Sequence, residues 1–150
     1  MLRSNKINQV GFTAIELILV IVFVAFLSGI TIPMYGKFQT TNSLDLSVIK
    51  IVQTLRRAQI LSQANDGDSN WGVSIGQDQI LLFKGMSSTT RNTDFDEIFT
   101  LDNNIEFSGE QDIVFEKLTG EPQTFGSINI AGSNNEVKTI TINSKGMLNY

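Results

Sequence analysis

At 150 residues and 41% hydrophobic side chains, the chain is long enough for one domain with its own core. It contains no Cys and no His, which excludes disulfides, thiolate chemistry, Ser-His-Asp and Cys-His nucleophile systems and the usual zinc sites. The net charge of −4 disfavours a general nucleic-acid binder held by phosphate contacts. Much of the apolar content sits in one N-terminal run. The remainder is rich in Asn, Ser, Thr, Gly and Asp, a composition that suits β-structure with many turns.

The first element is that run. Residues 12–32, inside "GFTAIELILVIVFVAFLSGITIP", are apolar, small or lone hydroxyls except for one carboxylate, Glu16. The run is 21 residues long, and a helix needs about 20 to span a bilayer. Arg3 and Lys6 precede it and no acid comes before Glu16. Positive charge on that flank leaves the N-terminus in the cytoplasm and sends residues 34–150 across the membrane. A cleaved secretory signal would have a shorter apolar region, of about 7–15 residues, ending in a small-x-small site. Ala25-Phe26-Leu27-Ser28-Gly29 is only a weak match to such a site. A plain single-span anchor of an extracytoplasmic domain is the simpler alternative. In that reading Thr13-Ala14-Ile15-Glu16 is a capping box that satisfies the first amides of the helix. It leaves an acid near the start of a membrane-length segment without a task, and intramembrane acids usually have one.

Gly11-Phe12-Thr13-x-x-Glu16, a short basic leader, the apolar run and Pro33 at its end together resemble the prepilin signature of type IV pilins and type II secretion pseudopilins. The resemblance implies cleavage after Gly11 by a prepilin peptidase on the cytoplasmic side, with N-methylation of the new amine on Phe12. It implies that the helix stays on the mature protein. Glu16 would neutralise the Phe12 amine of a neighbouring subunit as helices stack into a filament. Burying either charge alone in an apolar bundle is expensive, and pairing offsets much of that cost. The implied partners are the peptidase, other pilin or pseudopilin subunits, an inner-membrane assembly platform, and membrane lipid before assembly. The implied location is the inner (cytoplasmic) membrane in a single pass, then the pilus or pseudopilus.

Next comes the junction. Gly29, Thr31, Pro33 and Gly36 make a poor α-helix, and Pro33 removes an internal hydrogen bond. A kink at Gly29 and Pro33, or a locally extended stretch, is expected. Helical spacing then resumes. Leu44, Val48, Ile51, Leu55, Ala58 and Ser62 form an amphipathic stripe, widened by Ile49, Val52 and Leu61, with Lys50, Thr54 and Arg57 toward the other side. The stripe predicts packing on a sheet. Asn65-Asp66-Gly67-Asp68 supplies the turn that ends it.

From there the pattern is short strands and turns. Strands are expected at 71–75, 80–84, 98–101, 105–108, 112–118, 125–130 and 137–143, with a short one at 147–150. Clear alternation in Ser127-Ile128-Asn129-Ile130 and Thr139-Ile140-Thr141-Ile142 predicts half-buried antiparallel strands in a meander. "NWGVSI", "LLFKG" and "KTITINSKGMLNY" resemble strands of GspH/FimT-type minor subunits. The lack of a Cys-bounded C-terminal loop also favours a minor subunit. The expected class is α+β, with a type IV pilin-like long helix packed on an antiparallel β-sheet head. The expected divisions are a leader at 1–11, a transmembrane or filament-core helix at 12–33, its amphipathic half at 34–64 and the head at 65–150.

Other candidate sites are weaker. Asp66-Gly67-Asp68 and Asp94-x-Asp96-Glu97 carry oxygen ligands suited to Ca²⁺ but lack the twelve-residue loop with a closing Glu. No metal and no cofactor is expected. Arg56-Arg57 could form a basic patch, and Trp71 or Tyr150, if exposed, could stack a base. Such a DNA-binding minor pilin for transformation is the alternative function. Loss of the leader leaves nine basic residues against fifteen acids, so direct nucleic-acid contact is disfavoured. No nucleophile–base pair or phosphate loop is present, and no catalytic site is expected.

Overall fold

The computed structural model describes residues 11–133 and 135–150, and for residues 30–40 the backbone course alone. Residues 1–10 of the leader, with Arg3 and Lys6 and the orientation read from them, lie outside the described residues, as do the side chains of Ile30, Thr31, Ile32 and Pro33. The chain divides into two compact units, Met1–Gly36 and Lys37–Tyr150.

One helix, α1, runs Ala14–Gln63. No extended stretch interrupts it at the junction, because the helical course passes through both Gly29 and Pro33. Proline there removes one rung, the bond that residue 33 would donate to the carbonyl of residue 29. The turns on either side carry the helix through the gap.

In the second unit the stripe meets a core. Leu44, Val48, Ile51, Leu55, Ala58 and Ser62 are all buried, Val52 joins them, and Leu61 packs at the margin. Two expectations are corrected. Ile49 does not widen the stripe but is 44% exposed on the outer side. Thr54, expected outside, is buried, and its hydroxyl donates to the Lys50 carbonyl at 2.8 Å. That internal bond removes the penalty of hiding a hydroxyl. After α1 ends at Gln63, Asn65 adopts a left-handed φ of 53°, followed by a 3₁₀ turn at Asp66–Asp68.

Among the described residues eight strands follow: β1 (Trp71–Ile75), β2 (Gln79–Lys84), β3 (Asn92–Thr100), β4 (Ile105–Gly109), β5 (Asp112–Phe115), β6 (Gly126–Gly132), β7 (Val137–Ile142) and β8 (Leu148–Asn149). They form two four-stranded sheets rather than one meander, ordered β3-β2-β1-β5 and β4-β6-β7-β8, with antiparallel pairings throughout. The switch between sheets falls on adjacent residues. Glu110 N donates to Ser127 O of the second sheet at 3.2 Å, and the Gln111 carbonyl accepts from Ile75 N of the first at 2.9 Å. The fold class is therefore α+β, one long helix with two antiparallel sheets.

One core joins the helix to both sheets. Val73, Ile80 and Ile113 from the first sheet and Ile128, Ile130 and Ile140 from the second are fully buried with Leu44, Ile51 and Leu55 of α1. Each such side chain contributes about 1.5–3 kcal/mol by leaving water. On the other face of the first sheet, Gly72 makes room for the buried Phe83. A Cβ on Gly72 would lie 2.5 Å from the Phe83 ring.

Candidate assembly segment

The start of α1 is set by Thr13. Its carbonyl accepts from Glu16 N at 3.1 Å and Leu17 N at 3.2 Å, and its hydroxyl accepts from Glu16 N at 3.3 Å. Thr13 is thus the N-cap and Glu16 the third helical residue, where a carboxylate also faces the positive end of the helix dipole. Gly11 and Phe12 precede the helix, both exposed, and nothing lies within 4 Å of where a Gly11 Cβ would be. The Gly11–Phe12 peptide bond is therefore in non-helical, open backbone. Gly11 and Phe12 lie just before the cap, and Glu16 lies in the first turn of α1. Gly29 and Pro33 lie further along the same helix, one turn apart.

Beyond the cap, every large aliphatic or aromatic side chain from Ile15 to Leu27 is more than half exposed. Leu17, Ile18, Leu19, Val20, Ile21, Val22, Phe23 and Val24 are consecutive, so at about 100° per residue they cover the helix on all sides. A helix that is apolar all round belongs in a protein core or a membrane, and an exposed surface of this extent marks an interaction site. Among the described residues no helix is long and apolar enough to cross a membrane. The side chains described for this half of α1 end at Gly29.

Asp68, Asp96 and Glu97, three of the carboxylates considered for a cation, are held in ion pairs. Asp68 pairs with Lys117 at 3.0 Å. The hydrogen bond and charge of that lysine, with help from Asn65, hold the Asp68 carboxyl below its ordinary value. Asp96 pairs with Arg91 at 2.8 Å and Glu97 with Arg57 at 2.6 Å. Among the described residues no three Asp or Glu converge on a point where a cation would sit. Trp71 is buried, with its indole N–H donating to Asp66 O at 3.1 Å and its ring edge-on to Phe95 at 6.3 Å. It offers no face to a base. Tyr150 is exposed, with the Arg56 guanidinium 5.9 Å above its ring. Arg56 and Arg57 diverge, one to an aromatic ring and one to a carboxylate, so they do not act as a joint patch.

Sequence reasoning missed Ser62 as a junction. Its hydroxyl donates to Phe115 O and accepts from Trp71 N, both at 3.0 Å, tying α1 to β1 and β5. A lone hydroxyl in an apolar stripe was the available signal. No protein-family model, curated protein or solved structure matches this chain.

Proposed function

We propose that this chain is a structural subunit, of the minor kind, of a type IV pilus or type II secretion pseudopilus, processed by prepilin peptidase and assembled through its N-terminal helix. The observation that carries the reading is Gly11-Phe12-Thr13-x-x-Glu16 placed at the head of a helix whose apolar side chains are exposed on every side. Such a surface needs cover, and two environments supply it in turn. Lipid covers it while the subunit waits in the membrane, and like helices cover it in the filament. The pilin-like fold, with the amphipathic half of α1 as spine of the β head and a kink at Gly29 and Pro33, belongs to the same proposal.

The chemistry follows from the terminus. Cleavage after Gly11 releases a primary amine on Phe12, four residues before Glu16 on the same chain. In a stagger of parallel helices the amine of one subunit meets the Glu16 carboxylate of another. Neither charge is then buried alone, and the pair fixes the axial register. Gly11→Ala tests the processing step. A side chain next to the scissile bond should leave the chain at its unprocessed, slower gel mobility in cells that carry the peptidase. Unchanged mobility of Gly11→Ala would favour an unrelated anchored domain.

A further inference from the structure

We infer that Asp66-Gly67 is a self-modification site, where the Gly67 amide closes on the Asp66 side chain to a succinimide that reopens as an isoaspartyl link. Such a link is the substrate class of L-isoaspartyl methyltransferases. Nothing in this chemistry depends on assembly.

The pair is the one place in the sequence where Asp or Asn is followed by Gly. Glycine leaves the attacking nitrogen unshielded, because no Cβ stands beside it. Both residues are exposed, in the 3₁₀ turn Asp66–Asp68 that joins α1 to β1. Gly67 has φ 63° and ψ 26°, so the turn is already non-helical at the residue that supplies the nucleophile. Among the described residues no acceptor engages the Gly67 amide, and neither a donor nor a cation holds the Asp66 carboxyl.

Two neighbouring types of sequence, Asp68-Ser69 and Asn143-Ser144, are restrained instead. Asp68 is paired with Lys117 at 3.0 Å, and the Asn143 side chain accepts from Lys145 N and Met147 N, both at 2.9 Å. A restraint on Asp66 comes from the Trp71 indole N–H, which donates to Asp66 O at 3.1 Å. Ring closure turns that carbonyl about the Asp66 Cα–C bond. A single neutral hydrogen bond slows the turn without forbidding it.

With the carboxyl in its acid form, the Gly67 nitrogen attacks Asp66 Cγ and a C–N bond forms. The C–OH bond breaks, and the hydroxyl leaves with the amide proton as water. Water then opens the ring at either carbonyl. Opening at Cγ restores aspartate. Opening at the backbone carbonyl leaves Gly67 joined through Cγ and frees the former backbone carboxyl. The main chain between α1 and β1 is then one methylene longer, and the acceptor of the Trp71 indole is a free carboxylate. Trp71 N is itself bonded to Ser62 Oγ, so the change reaches the tie between helix and sheet.

Full-length chain, purified in detergent and kept folded, is incubated over days and then treated with an L-isoaspartyl methyltransferase and labelled S-adenosylmethionine. Label should rise with incubation time and map to the peptide carrying residue 66. The endoproteinase that cuts before aspartate should lose its cut at Asp66 in the same fraction, and that fraction should show shifted Trp71 emission. Asp66→Glu keeps the charge but must close a larger ring, and should lose the label. Asp66→Asn should gain label several-fold, because an amide loses ammonia more readily than an acid loses water. Label confined to chain unfolded in urea, label only at another residue, or label retained in Asp66→Glu would each overturn the proposal. Unshifted Trp71 emission in the converted fraction would overturn its reach to the tie between helix and sheet.

Discussion

At the scale of residues, the informative positions are those where a polar group sits in an apolar pattern. Glu16 is one, and its amide is tied to the Thr13 carbonyl and hydroxyl in the first turn of α1. Ser62 is the other. It is fully buried and serves two backbone groups at once, Trp71 N and Phe115 O. Ser62→Ala would leave both unsatisfied, at a cost of about 1–3 kcal/mol. Urea unfolding followed by the fluorescence of Trp71, the only tryptophan, should show that loss as a lower midpoint at unchanged slope. An unchanged midpoint would mean that water reaches both groups. Thr54 shows what spacing alone misses. A hydroxyl that bonds the carbonyl one turn back counts as apolar for burial, so Thr54 goes in while Ile49, at the edge of the stripe, stays out.

At the scale of elements, α1 was legible because burial imposes its period on the sequence. Leu44, Val48, Ile51, Leu55, Ala58 and Ser62 are all buried. Strand locations were legible for β1, where a short apolar run is bounded by turns, and for β7, where alternation is strict. Their ends were less so. β3 begins at Asn92, well before the expected start, because its early residues carry acids and pair irregularly with β2, with a register shift between Leu82 and Lys84. β5 stops at Phe115 rather than Leu118, which takes a left-handed φ of 71° that no strand allows. The division into two sheets was not legible at all. Alternation says which residues face inward but not which sheet they face from, and the switch at Glu110 and Gln111 is made by backbone bonds that leave no mark in side-chain type. The apolar half of α1 yields its own prediction. Glu16→Ala removes a charge and keeps every apolar side chain, so membrane insertion should be unchanged while incorporation into filaments falls sharply. Equal incorporation of Glu16→Ala and the parent chain would leave the acid as a capping residue only.

At the scale of the whole molecule, the two units have different relations to their surroundings. Lys37–Tyr150 closes a core from its own helix and sheets. In Met1–Gly36 the apolar side chains from Ile15 to Leu27 are exposed, and an exposed apolar surface of this extent marks an interaction site. A unit with its own core and a helical segment with exposed apolar side chains are what support the proposed reading as a filament subunit. The central claim is that Gly11 is a cut and Phe12 the mature first residue. Intact-mass and N-terminal peptide mass spectrometry of the protein isolated from its native cells measures this directly. The account predicts a chain beginning at Phe12 with a methylated amine, and a chain that still begins at Met1 would contradict it.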